Sequence, residues 1–180
     1  MIIYVLSLIV ALIVIYFFTS KKRSPIPYFP SNKQDLPLIL KALNLRSGQT
    51  VIDLGAGDGI VVFEAAKQAQ KLGYNTQFIA VEINPVLILV LHLRNLLHPN
   101  HRNIRVIYAD MFKLNVSTVI ASGTKQSLII FLYISPWFME KVYKKLKKDL
   151  KSFELVSYFY PLKNKKPTKT LKGKNKIFVY

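Results

Sequence analysis

The run Val51-Ile52-Asp53-Leu54-Gly55-Ala56-Gly57-Asp58-Gly59 constrains this chain more than any other stretch. Residues 50–54 read as a short buried strand, the glycines force a turn that side chains would block, and residues 60–71 follow a helical apolar spacing. A strand, a tight turn and a helix in that order make a nucleotide-cradling unit. A dinucleotide fingerprint, G-x-G-x-x-G, would require glycine where Ile60 stands. Asp53 also puts a carboxylate just ahead of the turn, where it would repel a pyrophosphate.

That carboxylate favours a ligand with a cationic ammonium or sulfonium, and the following helix N-terminus could receive the ligand's own carboxylate. S-adenosylmethionine carries all three groups. The stretch resembles motif I of the class I S-adenosylmethionine-dependent methyltransferases, which implies that Gly55, Gly57, Asp58 and Gly59 form the cofactor loop.

The acidic residues sharpen this reading. Only nine exist, and Asp53, Asp58, Glu82 and Asp110 lie at or just past the ends of the first three expected strands. Ligands of open α/β sheets bind at that edge. Glu82, ending a strand over 77–82, is placed to accept hydrogen bonds from ribose hydroxyls. Asp110, after a strand over 104–108, is placed to take an adenine amino group, with Ile83 and Met111 as apolar plates for the ring. A lone strand-end Asp is more often a turn or cap than a ligand; the glycine loop, Glu82 and Asp110 in this order carry more weight together.

Further strands are expected over 128–133 and 153–159, with helices over about 31–44, after Asn84-Pro85, and from Pro136 to about 150. Ser31-x-x-Gln34 reads as a capping box for the first of these, although Asp35 and Pro37 allow its start to lie a few residues later. Strands alternating with helices imply an α/β fold, a Rossmann-like parallel sheet covered on both faces. Residues 161–176 carry seven lysines and no acid, and are expected to be a mobile loop before one last edge strand over 176–180. The domain boundaries that follow are 1–20 for an anchor, 21–34 for a proline-rich linker or lid, 35–160 for the methyltransferase domain and 161–180 for the tail.

The anchor is an apolar run from Ile2 to Phe18, broken only by Ser7 and two tyrosines; with its neighbours it would span about 28 Å as a helix, enough to cross a bilayer core. Lys21-Lys22-Arg23 follows the run, and no Ala-x-Ala site appears, so the expectation is an uncleaved single-pass anchor with the rest of the chain on the cytoplasmic side. No cysteine and only three scattered histidines leave no basis for a zinc or thiolate site, and no metal is expected.

Methyl transfer requires sulfur, methyl carbon and an attacking lone pair in line, so the acceptor pocket is sought past the fourth strand. Tyr133 and Trp137 are candidate walls for an amine, and Tyr133 or Ser135 a candidate hydrogen-bonding group; plain core packing is the competing reading of the aromatics. The anchor, Pro27-Tyr28-Phe29-Pro30-Ser31, a short helix and motif I together resemble the small membrane-anchored lysine methyltransferases of mitochondria, which modify the ATP synthase c-subunit and the adenine nucleotide translocase, and small archaeal lysine methyltransferases. The resemblance implies a protein-lysine acceptor and makes Tyr28 a lid residue over the cofactor. It runs to about residue 150; past Pro161 the family's closing strand pair is hard to find in the lysine-rich stretch.

The net charge of +17, from 26 Lys+Arg against 9 Asp+Glu, points to a polyanionic neighbour. Lysines of 141–151 adjoin those of the tail, and anionic lipid is the expected contact. Two other readings stand beside the leading one. Ser135-Pro136-Trp137-Phe138 faintly resembles the Asp/Asn/Ser-Pro-Pro-aromatic motif of nucleic-acid and glutamine amino-methyltransferases, so the acceptor could be nucleic acid, a lipid or a small molecule, nucleic acid being less favoured beside an anchor. The other is a non-enzymatic basic protein of the membrane surface. Methylation of the chain's own lysine tail is a further possibility.

Overall fold

The structure, a computed structural model, describes residues 2–20, 26–120 and 127–180. The basic flank Lys21-Lys22-Arg23 and the first part of the linker lie outside the described residues. Among the described residues, five α-helices and seven strands follow one another as α1 (Ile2–Thr19), α2 (Leu36–Leu43), β1 (Thr50–Leu54), α3 (Ile60–Lys71), β2 (Gln77–Glu82), α4 (Pro85–Leu96), β3 (Ile104–Tyr108), β4 (Leu128–Leu132), α5 (Pro136–Asp149), β5 (Glu154–Tyr158), β6 (Lys169–Lys172) and β7 (Lys176–Val179).

The strands form one mixed sheet in the order β3-β2-β1-β4-β5-β7-β6. Strands β1 to β5 run parallel, with Asp53 opposite Ala80 on one side and Phe131 on the other. Every residue of β1 and β4 is buried, as both faces of the sheet are covered. Side chains alternate between two cores: Val51, Phe78, Ala80 and Phe131 pack with α2, α3 and Leu91 of α4, while Ile52, Val81, Ile130 and Leu132 pack with Met139, Val142 and Leu146 of α5. The chain leaves β1 toward β2 and β3, then returns to β4 on β1's other side. The crevice outside the strand ends at this reversal is where such sheets bind ligands.

Two expectations are corrected. Ser31 does not open the first helix. Asn32 opens a 3-10 turn over Lys33–Asp35, accepting a hydrogen bond from Gln34 N at 2.9 Å, Ser31 is buried, and α2 itself begins at Leu36, the later start that Asp35 and Pro37 allow. Nor is the lysine-rich segment a loop before one edge strand: it contains the hairpin β6–β7, and β7 lies inside the sheet, antiparallel to both β5 and β6. Ile177, Phe178, Val179 and Tyr180 are buried. The lysines concealed a strand because β6 is an edge, where Lys169, Thr170 and Lys172 face solvent and Leu171 packs against the core.

Asp35 locks this hairpin to the rest of the fold. Its carboxylate, 1% exposed, accepts from Lys174 N at 2.7 Å, Asn175 N at 2.9 Å and the Tyr158 hydroxyl at 2.7 Å. A Cβ on Gly173 would stand 2.1 Å from Asp35 Oδ1, so the turn requires glycine there. These hydrogen bonds hold the Asp35 carboxyl below its ordinary range, against the opposing effect of burial.

Helix α1 has no buried residue. Asn84 holds its end: Asn84 Nδ2 donates to Phe17 O at 3.2 Å, while Asn84 Oδ1 caps α4 by accepting from Val86 N at 2.9 Å.

Candidate active site

The glycine loop is pinned to the end of β2 rather than left open. Gly55 N and Ala56 N both donate to Val81 O, at 2.8 and 2.9 Å, and Gly57 N donates to Glu82 Oε2 at 2.8 Å. Gly59 N turns back to Ala56 O, and Ile60 N is met by Asp58 Oδ1 at 3.2 Å. The amides that would cradle a pyrophosphate are consumed within the protein, which agrees with the exclusion of a dinucleotide from the sequence.

Gly57, at φ 60°, shows why the loop must stay bare: a Cβ there would stand 2.7 Å from the Tyr28 ring. Tyr28 comes from the extended segment before α2 and lies across the loop. Its hydroxyl is pushed up to about 12, first by burial and next by the Asp58 charge. The ring also meets Phe18 of α1 edge-on, centroids 6.2 Å apart, so one aromatic side chain touches both the apolar helix and the loop.

A cleft of about 760 Å³, counted to its open mouth, lies between this loop and the ends of β1 to β4. Tyr28, Asp53, Gly55, Gly57, Asp58, Glu82, Ile83, Asp110, Met111 and Tyr133 all line it. Gly59 stands just behind, against Leu91 and Phe63. Asp53 is 4% exposed, and its carboxyl is pushed up to about 8, mainly by burial and then by the charges of Glu82 and Asp58. Three carboxylates converge where the strand ends meet, an arrangement that a bound cation relieves.

Glu82 does more than its sequence position suggested. Besides holding Gly57, it accepts from Ile83 N at 2.8 Å and Asn84 N at 2.9 Å. With three of about four acceptor positions in use, roughly one is left for a ribose hydroxyl. Asp110 Oδ1 accepts from Phe112 N at 2.9 Å, making the turn that brings Met111 and Phe112 into the cleft wall. Asp58 pairs with Arg94 of α4 at 3.1 Å, and the same guanidinium donates to Asp58 O and lies 4.9 Å from the Phe63 ring centroid. Nothing in the sequence pointed to Arg94, because 36 residues separate the pair.

The three acceptor-side candidates do not converge. Tyr133 lines the cleft and meets Tyr158 edge-on at 4.8 Å; burial raises its pKa. Ser135 stands at the start of α5 without a side-chain capping bond, and Trp137 is 70% exposed; neither lines the cleft. Trp137 instead ends a ladder of rings through Phe138 to Phe112, which does line it. The sequence reading also missed Ile26, Phe29, Ser31, Phe131 and Ile134 as lining residues. Pro27 to Ser31 had signalled a lid, but no periodicity marks which side chains of an extended segment turn inward.

The family described as ANTKMT methyltransferase domain matches residues 53–169. The chain belongs to it. That places it among the class I S-adenosylmethionine-dependent methyltransferases, with S-adenosylmethionine as cofactor. A curated relative, the lysine N-methyltransferase of the ATP synthase c-subunit from Xenopus laevis, is 29% identical over 141 residues, covering 77% of this chain and 55% of the relative. The protein of the same name from Homo sapiens is 26% identical over 126 residues, 69% of this chain and 47% of the relative. The chain thus spans about half the length of these relatives. Among solved structures, an RNA methyltransferase from Salinibacter ruber in complex with S-adenosylhomocysteine superposes with a TM-score of 0.68 at 18% identity, over 84% of this chain and 92% of that one, a likeness of fold.

The cleft of this family member fits that cofactor. Buried carboxyls at the ends of β1 and β2 suit a cation and a ribose, and Asp110 and the apolar Ile83 and Met111 suit an adenine, while the bare loop at Gly57 lets the Tyr28 ring lie directly against it.

Proposed function

We propose that this chain is a membrane-associated protein-lysine N-methyltransferase that uses S-adenosylmethionine. The observation that carries the reading is the convergence of Asp53, Glu82 and Asp110 on one cleft at the switch point of the sheet, in a chain whose curated relatives are named for modifying a lysine of a protein.

When bound, the cofactor supplies an activated methyl group on a sulfonium. Asp53 would balance its positive charge, Glu82 would accept from the ribose while holding the loop, and Asp110, with the apolar Ile83 and Met111, would hold the adenine. Gly55, Gly57, Asp58 and Gly59 shape the loop, and Tyr28 covers it and excludes water. Tyr133 is the acceptor-side wall. An amine must be neutral to attack, and Tyr133, Phe131 and Ile134 form an apolar surround that disfavours the ammonium form. Ser135 and Trp137 stand too far out to touch reacting atoms, and Trp137 is assigned to the surface that meets the partner protein.

Helix α1 is long and apolar enough to cross a membrane. We assign it as the anchor, with the domain on the side of its basic flank, the cytoplasmic side, and the lysine-rich C-terminal region against anionic lipid.

The test is incubation of the full chain in detergent with radiolabelled S-adenosylmethionine and source membranes, followed by fractionation. Label recovered as methyl-lysine from a protein band supports the reading and identifies the acceptor. Label in nucleic acid overturns it in favour of an RNA acceptor. That alternative is kept because the ribosomal RNA small subunit methyltransferase A of Koribacter versatilis is 36% identical over 83 residues, though these cover 46% of this chain and 26% of the relative.

A further inference from the structure

Helix α4 is apolar on both sides, yet the protein covers only one. Leu87 and Leu91 are buried, and Ile88 packs on the core. On the opposite side Leu89, Leu93, Leu96 and Leu97 are 59, 55, 76 and 85% exposed. At about 100° per residue, Leu89, Leu93 and Leu96 fall within roughly 60° of one another, so they form a stripe along the helix. A soluble helix would carry charge on that side. Contiguous exposed leucines mark a contact surface.

Two observations say what that surface meets. The first is continuity: the cap residue of α4, Asn84, is hydrogen-bonded to Phe17 of α1, so the stripe begins beside the end of an 18-residue apolar helix with no buried residue. The second is charge: from Ile83 to Ala109 the chain has no acidic residue; Arg94 turns inward to Asp58, while Arg102 and Arg105 are exposed. Leucines along the outer face of a helix that itself carries no acid, followed in the chain by the exposed Arg102 and Arg105, match an amphipathic helix seated at the boundary of headgroups and acyl chains in an anionic bilayer.

We propose that the outer face of α4 is a second membrane contact, which lays the domain against the lipid surface beside α1. This rests on the reading of α1 as a membrane helix. The mouth of the cleft, at the end of the sheet where α1 and α4 meet, is thereby held near the headgroup layer, and the acceptor lysine it can reach is one presented close to the membrane.

The chain contains no cysteine, so single labelling sites can be introduced one at a time into the full chain. Leu93→Cys, Leu97→Cys, Val10→Cys in α1 and Thr170→Cys on β6, at the other end of the sheet, are labelled with an environment-sensitive fluorophore. Each is reconstituted in vesicles of phosphatidylcholine and phosphatidylglycerol with brominated acyl chains. The labels replace exposed side chains and leave the core intact. The expected result is quenching at residues 93 and 97 several-fold greater than at residue 170. Quenching at residue 93 no greater than at residue 170 overturns the proposal, as does a blue shift at 93 that depends on protein concentration instead of lipid, which would mark a second copy of the chain. Residue 10 separates the two readings: if it is quenched while 93 is not, the anchor stands and the α4 contact falls. If residue 10 is unquenched the anchor reading falls, and residue 93 then decides the α4 surface by itself.

Discussion

Replacing Asp53 by Asn removes an ionisable group from the centre of the cleft and should change stability and binding in opposite directions. The carboxyl titrates at about 8 in the folded protein, against an unfolded value near 4. Between those values the folded state holds a proton that the unfolded state has lost, so the contribution is fully present below about pH 4, declines as pH rises, and is gone above about pH 8. At 1.36 kcal/mol per pH unit the ceiling over pH 5 to 8 is about 4 kcal/mol, and relaxation around the buried group reduces it to about 2–4 kcal/mol. Asn is nearly isosteric and does not titrate. Thermal or urea unfolding of the cofactor-free protein in detergent should therefore show wild-type stability falling across that window while Asp53→Asn stays flatter. The variant should be the more stable of the two at pH 8, by roughly 4–16 °C in Tm at about 2–4 °C per kcal/mol for a chain of this size. Cofactor affinity should drop at least about tenfold, because the balancing charge is lost. In calorimetry at pH 7, wild type should release a large part of one proton per cofactor bound, read from buffers of different ionisation enthalpy, and the variant close to none. Parallel pH–stability curves for the two proteins, or equal proton release, would refute the assignment of a buried, mostly protonated Asp53.

Three further outcomes test the surrounding structure. Gly57→Ala brings a Cβ to within 2.7 Å of the Tyr28 ring at a positive φ, and should cost about 1–3 kcal/mol in unfolding experiments and weaken cofactor binding, whereas Gly48→Ala, with open space around it, should leave binding unchanged. Asp35→Ala strands Lys174 N, Asn175 N and the Tyr158 hydroxyl, and should lower stability by about 2–4 kcal/mol with accelerated hydrogen exchange confined first to β6 and β7; in wild type this contribution should disappear in acid, as pH falls through the depressed Asp35 pKa. Tyr133→Ala should lower kcat at unchanged cofactor affinity, while Trp137→Ala should raise KM for the protein acceptor and leave kcat near wild type; the reverse pattern would exchange their roles.

Much of this protein is local physics and can be read from the chain alone. Residues 50–54, 77–82 and 104–108 form strands with the bounds expected of them, since each is a short apolar or β-branched run closed by turn residues. Asn84-Pro85 caps α4 as its types require. The order of Asp53, Glu82 and Asp110 at three strand ends marked the cleft edge, because parallel topology puts all such ends on one side.

Other features depended on which distant segments meet. Lys169 to Lys172 looks like a solvated loop until β7 pairs with it on one side and with β5 on the other, and Asp35, more than 130 residues earlier, ties down the intervening turn. Arg94 joins the loop through a pair no spacing rule anticipates. Trp137 and Tyr133, four residues apart, part company because β4 ends and α5 begins between them, turning one ring into the cleft and the other to solvent. Periodicity and charge order act over a few residues and suffice for the elements and the direction of the sheet. Burial, long-range hydrogen bonds and the raised carboxyl of Asp53 depend on what packs against each side chain, and only the folded chain decides that.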